Sequence, residues 1–310
     1  MPEHFITPKM SSAAHPAQTQ LDSLWKFGGL TPWRLTVNVF RSVSTDELLD
    51  RASGLAFDFV LAFFPLMLFI LSVFGLFAAR GSAQFDILIS YFTDFLPPSA
   101  SQLVAVILDE LSRNSGGGKL TLGIVAGLWF ASGGVSSMIS TLNVIYRVRE
   151  ARSWLRIRAT ALGLTLVMAV LLLSALVMVL LGNYIADWFA SEFARGSVAL
   201  VAWQALRWPA AAFFVLLSFS LVYYVGPNLE YHRRHWITPG SLFGMLLWLT
   251  SSVVLRVYLH FFNTYSTTYG SLGAVMILLL WLYVTGLVFL IGGEINAEIE
   301  RAAAVGLPVS

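Results

Sequence analysis

Cysteine is absent from this 310-residue chain, and charge is scarce: Asp, Glu, Lys and Arg make up 12% of it. Without cysteine there is no disulfide, no thiolate nucleophile and no sulfur-ligated metal, which leaves the redox compartment open. A soluble domain carries about 25% charged residues, so this chain has half the charge needed to wet a globular surface. The net charge of +2 is too small to point to nucleic acid. No hydrolase nucleophile motif, nucleotide-binding glycine loop or dinuclear-metal cluster occurs either. An enzyme is therefore not expected, nor is a metal or a cofactor. The segment His232-Arg233-Arg234-His235 offers two histidines without a carboxylate at ligand spacing, and reads as a basic loop touching lipid phosphate.

What the chain has instead is hydrophobic length. Apolar residues make up 57% of it and the mean hydropathy is +0.75. A hydrocarbon core about 30 Å thick needs roughly 20 helical residues. Six runs meet or approach that length, at about 55–79, 120–139, 157–181, 209–225, 241–262 and 271–292. The fold class expected is all-α: a polytopic membrane protein with six transmembrane helices plus short interfacial amphipathic helices. Summed over alternate sides, Lys and Arg number thirteen against five, with Arg256 inside a span. The positive-inside rule then places both termini in the cytoplasm. Residues 1–30 are read as a disordered cytoplasmic tail, most clearly over the first twenty. They lack the apolar core of a signal peptide, so the first span is expected to be an uncleaved anchor. Residues 31–302 form the six-helix domain and 303–310 a second cytoplasmic tail.

Local signals refine this outline. Thr31-Pro32 reads as an N-cap followed by proline at the first helical position. The helix it opens is basic and amphipathic, lying either in the headgroup layer or packed on the bundle. Ser44-Thr45-Asp46-Glu47 fits a capping box for the next helix, which should kink at Pro65. Between Arg80 and Lys119 the connection is long enough for two short outer-leaflet helices. Gly123 with Gly127, and Gly240 with Gly244, are spaced four apart, which lets helix backbones touch in lipid. Thr238-Pro239-Gly240 should supply cap, first turn and contact glycine to the fifth span. Trp129 with Ser132 and Trp248 with Ser251 hint at an inverted three-plus-three repeat.

An ionisable side chain inside a span costs several kcal/mol unless paired or hydrated, which makes each one a candidate site. Asp58 lies about a turn into the first span. Asn143 and Tyr146 end the second, and Glu294 and Asn296 close the sixth, with Glu298 one turn further on. These residues are expected to converge on a polar cytoplasmic mouth facing the basic run Arg147–Arg158, or else merely to pair with nearby cations. Ser252, Arg256 and His260 recur every four residues, so one face of the fifth span is polar. Arg256 either snorkels to the interface or lines a cavity, where a guanidinium would suit a phosphate or carboxylate.

The ordered set of local motifs resembles one family. It comprises Arg51-Ala52, Ala56-Phe57 and Phe64-Pro65; Trp129 with Leu142-Asn143-Val144-Ile145-Tyr146; and Arg152-Ser153-Trp154. Tyr223-Tyr224, Pro227-Asn228, Trp236 and Pro239-Gly240 follow. The most specific part is Tyr265, Tyr269-Gly270-Ser271-Leu272-Gly273, Trp281-Leu282-Tyr283 and Gly292-Gly293-Glu294-Ile295-Asn296-Ala297. Together these resemble the YihY/BrkB family of bacterial inner-membrane proteins over about residues 30–302. The resemblance implies a six-helix membrane protein whose members have been labelled ribonuclease BN or linked to virulence and serum resistance. It supplies no catalytic residues. The expected role is transporter-like or lipid-handling, with an anionic lipid or small anionic solute at Arg256 and the polar mouth. The alternative is a non-transporting membrane scaffold or envelope-assembly factor, with a membrane ribonuclease third. The partners expected are the bilayer and such a ligand, with homo-oligomers left open and nucleic acid excluded.

Overall fold

The computed structural model describes residues 21–77, 117–180, 197–229, 236–261 and 271–305, and among these every element is helical. A short 3-10 helix, Leu21–Gly29, precedes α1 (Pro32–Thr45) and α2 (Leu48–Phe77). Then come α3 (Gly117–Ile145), α4 (Trp154–Leu180), α5 (Ser197–Val225), α6 (Pro239–Phe261) and α7 (Ser271–Val305). Five of them, α3 to α7, are long and apolar enough to cross a membrane. α2 covers the first expected span as far as Phe77; its 30 residues would measure about 45 Å. The connection expected to hold two outer-leaflet helices, the His232–His235 run and the Tyr265–Gly270 turn lie outside the described residues.

Several boundaries follow the local chemistry foreseen. Thr31 caps α1, its side chain accepting from the Arg34 amide at 3.4 Å, with Pro32 in the first turn. Thr238 caps α6 in the same way through the Ser241 amide at 3.3 Å. Others differ. The break between α1 and α2 falls at Asp46 and Glu47, the latter with φ of 53°, so α1 absorbs Ser44 and no capping box forms there. α5 begins twelve residues before the expected span and holds Pro209 inside it. α7 runs on to Val305 rather than ending near 292. The tail expected to be disordered to residue 30 is ordered from 21, because Leu24 and Leu30 are buried against Leu35, Val39, Ile299 and Ala302. Gly28 makes that contact possible: at φ +61° it lies where a Cβ would strike the Ile299 carbonyl of α7.

α7 is the centre of the bundle. It packs on α6, α2 and α3, and on α1 and the 3-10 helix at its last turns. α2 pairs with α3, and α4 lies between α3 and α5. Lipid tails are as apolar as leucine, so close backbone approach rather than apolar burial must drive such pairing. The α5–α6–α7 junction has that form. A Cβ on Gly240 would collide with the Gly292 carbonyl, and one on Gly244 would come within 3.2 Å of the Tyr223 hydroxyl. Tyr223 fills the remaining space, stacking on Phe289 at 5.0 Å and donating to the Phe289 carbonyl at 2.6 Å. Gly127 is buried in α3, whereas Gly123 lies beyond the described side chains.

Candidate functional site

One end of the bundle is closed by a polar floor built from α7 outward. Glu294, Glu298 and Arg301 fall at i, i+4 and i+7, so all three share one face of α7. The Glu294 side chain is fully buried, while that of Arg301 keeps 27% exposure. Arg301 donates to the carboxylates of Glu294 and Glu298, the latter at 2.7 Å. It also donates to the Ile145 carbonyl at 2.9 Å, satisfying an orphan acceptor at the end of α3. Glu298 accepts in addition from Ser42 at 3.0 Å and Asn38 at 3.4 Å, tying α1 to α7. The second carboxylate oxygen of Glu294 has no hydrogen-bond partner among the described residues. Asn296 accepts from the Gly240 amide at 2.8 Å, satisfying the first turn of α6, and its buried side-chain nitrogen is also unpartnered.

A second cluster staples two loops together. Asn143 donates to Glu150 at 2.7 Å and accepts from the Asn228 amide at 2.7 Å. Arg152 holds Glu150 through Nε and Nη2, both at 2.8 Å, and donates to the Gly226 carbonyl at 2.8 Å. The Arg152 guanidinium holds the Glu150 carboxyl well below the usual carboxylate range, at about 2. The connection between α3 and α4 is thereby fixed to the one between α5 and α6.

Asn143, Glu294 and Asn296 thus come to the same end of the molecule, with Arg301 and Ile145 linking the two clusters. Asp58 is not hydrogen-bonded to either. It lies at the seam of α2 and α3, where the Ser137 hydroxyl donates to its carboxylate. Within the basic run, Arg158 turns toward α3, its guanidinium 4.1 Å above the Trp129 ring and donating to the Trp129 carbonyl at 2.6 Å. Trp248, which the sequence pairs with Trp129, instead meets Trp281 at 6.3 Å and donates to Thr285 at 3.3 Å. The two tryptophans occupy unlike surroundings.

Beyond the floor, next to Phe289, a half-open cavity of about 390 Å³ lies between the helices. Every helix from α2 to α7 contributes to its wall, through Phe59, Met138, Met168, Phe219, Trp248 and Trp281 among others. Its residues on α7, Trp281 to Phe289, sit about 7–20 Å from Glu294 along the helix axis. Among the described residues no charged side chain lines it. The wall hydroxyls are occupied locally: Thr165 donates to Ala161 at 2.7 Å and Ser218 to Phe214 at 3.0 Å. A space of this size is within the range of ligand sites, and its chemistry suits hydrocarbon. An unpaired ion there would meet a desolvation cost of several kcal/mol with nothing to offset it.

The stripe on α6 is elsewhere. Ser252 donates to the Trp248 carbonyl of its own helix at 2.8 Å, and Arg256 is exposed and is not part of the cavity wall. His260 lies at the end of α6, beyond the described side chains. Glu298 joins Glu294 at this end as expected, and Arg152 belongs to the basic run expected to face it. Residues not foreseen are Arg301 in the floor, Glu150 and Asn228 in the loop staple, and Tyr223 between floor and cavity. Arg301 carried a readable signal, since Glu294, Glu298 and Arg301 recur at helical spacing. Pairing across loops carried none.

Comparison with known proteins agrees with this architecture. The profile of the family described as Virulence factor BrkB matches residues 39–308. The ribonuclease-like protein YfkH of Bacillus subtilis is 33% identical over 264 residues, covering 85% of this chain and 94% of that protein. A UPF0761 membrane protein of Aliivibrio salmonicida is 28% identical over 298 residues, covering 91% of this chain and 88% of the relative. No solved structure matches the chain. A multi-pass membrane protein by its helices, the chain belongs by these matches to the Virulence factor BrkB family.

Proposed function

We propose that this protein handles an amphipathic membrane lipid, holding the hydrocarbon part of one molecule inside its helix bundle. The observation that carries the reading is the 390 Å³ cavity with its uncharged wall. A cleft of this size between spanning helices, lined mainly by apolar side chains, is shaped to seat a hydrocarbon chain. A small anionic solute fits the wall poorly, and the exposed position of Arg256 gives such an ion no seat there. Both termini lie in the cytoplasm of this reading, with the floor of Glu294 and Arg301 at the cytoplasmic face, where Lys and Arg are concentrated. Tyr223 and Phe289 then form the partition between that face and the lipid-filled space.

Native mass spectrometry of gently extracted protein tests the proposal. The wild type should carry a co-purifying lipid mass, and Ala169→Phe, which fills the cavity from α4, should lose it while the fold persists. Equal lipid retention by both proteins would sink the reading. A specific observation favours a second role, as a scaffold for partner helices. Gly54 and Gly133 face open space on the outside of α2 and α3, close to Asp58 and Ser137. Helix packing by small residues is available there. Stable heterologous crosslinks through those glycine positions, with no retained lipid, would favour that role. A membrane ribonuclease ranks third, and inactivity of purified protein on RNA across divalent metals would remove it.

A further inference from the structure

α1 is too short to span a bilayer: its 14 residues cover about 21 Å. One of its faces is closed. Leu35, Val39 and Ser42 are buried on α7, and Ser42 and Asn38 both donate to Glu298. The opposite face is open, with Trp33 at 76% and Phe40 at 80% exposure and Val37 between them. At 3.6 residues per turn, Trp33, Val37 and Phe40 fall within about 60° of one another, diametrically opposite the buried trio. Arg34 and Arg41 are exposed and stand on the flank between the two faces. α1 contains no acidic residue, and the exposed Lys26 and Trp25 precede it.

Two large aromatic rings and a valine turned to water form an apolar patch that a soluble surface would not retain. Rings with guanidinium groups at their edge match the acyl boundary below and the phosphates above. Position argues the same way. Only Asp46 and Glu47 separate α1 from α2, whose residues beyond 51 hold no cation before Phe77. The open face therefore lies at the level where the chain enters the membrane.

We propose that the Trp33–Val37–Phe40 face of α1 is a docking surface for the headgroup layer of an acidic phospholipid bilayer, with Arg34 and Arg41 engaging lipid phosphates. The inference is independent of what fills the cavity. It makes α1 a two-sided strap: one face grips α7 beside the polar floor, and the other grips the membrane surface.

The lack of cysteine gives a direct test, because Val37→Cys in the full chain provides a unique attachment point for a nitroxide. The protein is reconstituted in phosphatidylcholine vesicles with or without one part in three of phosphatidylglycerol. With phosphatidylglycerol, the label should be reached by oxygen and shielded from a water-soluble nickel chelate. Each arginine near an acidic surface is worth about fivefold in partitioning, so Arg34→Gln with Arg41→Gln should return nickel access toward its value in detergent. Nickel access unchanged by phosphatidylglycerol in the labelled protein with both arginines intact would overturn the proposal. Shielding that instead scales with protein concentration and accompanies dimers would assign the face to a second copy, and would overturn it as well. The lipid comparison with both arginines intact stands even if the double variant were to fold poorly.

Discussion

Removing the Arg301 guanidinium should expose how the floor of the bundle is held. Arg301→Met keeps most of the aliphatic volume and deletes three donations, to Glu294, Glu298 and the Ile145 carbonyl. Glu294 is the vulnerable partner: its side chain is wholly buried and its other oxygen already has no hydrogen bond. Breaking one side of a buried ion pair costs about 3–5 kcal/mol, because the remaining charge is left uncompensated. Arg301 keeps 27% exposure, so water replaces part of what is lost and the lower end, about 3 kcal/mol, is expected. For a chain of 310 residues that corresponds to a fall of roughly 5 °C in the midpoint of thermal unfolding. The measurement is a thermal scan of purified protein in one fixed detergent. Its control is Glu294→Leu combined with Arg301→Met, which removes the stranded carboxylate together with its partner. The double variant should be more stable than Arg301→Met alone. If its loss equals or exceeds the sum of the two single losses, Arg301 is not compensating the charge on Glu294, and the account of the floor is wrong. Arg301→Lys should fall between, since an ammonium cannot present the planar fork that reaches all three acceptors.

Other perturbations have equally definite outcomes. Gly240→Val should prevent α6 from seating on α7, because a Cβ there meets the Gly292 carbonyl; a loss of about 3 kcal/mol or more, or failure to accumulate in membranes, is expected. Tyr223→Phe removes the 2.6 Å donation to Phe289 while keeping the ring stack, and should cost about 1 kcal/mol in the same scan. Glu150 titrates lower in the folded protein than unfolded, near 2 rather than 4.5, so its contribution is complete above about pH 5 and fades as pH falls toward 2. The stability gap between wild type and Glu150→Gln should therefore narrow over that window, and a gap that widened on acidification would contradict the Arg152 clasp. A reporter fused after Ser310 should be active only in the cytoplasm if the charge asymmetry sets the topology.

The long helices and their caps were legible in the sequence because each rests on local rules. Apolar length specifies α3 to α7, and Thr31-Pro32 and Thr238-Pro239 carry their cap chemistry within four residues. The spacing of Gly240 and Gly244 was a weaker guide, since small residues four apart recur by chance in apolar helices, and only the approach of the Gly292 carbonyl shows what Gly240 makes room for. The polar stripe on α6 shows where such reading stops. Periodicity places Ser252 and Arg256 on one face but does not say whether that face turns inward, and Arg256 turns out to be exposed. The cavity was invisible for a related reason. Its wall of Phe59, Met138, Met168 and Phe219 has the same composition as a surface that greets lipid. Only three-dimensional packing distinguishes a hollow from an exterior. Clusters such as Asn143, Glu150 and Asn228 depend on two loops meeting, which no single window of sequence contains.

The last turns of α7 hold the 3-10 helix through Ile299 and Ala302, α1 through Glu298, and the end of α3 through Arg301. In chain order α7 follows every element these contacts secure. The 3-10 helix and α1 therefore gain this docking partner only after α2 to α6 have been made. A chain halted before α7 would be left open at this end, with its apolar 3-10 helix uncovered and ready for quality-control proteases to remove.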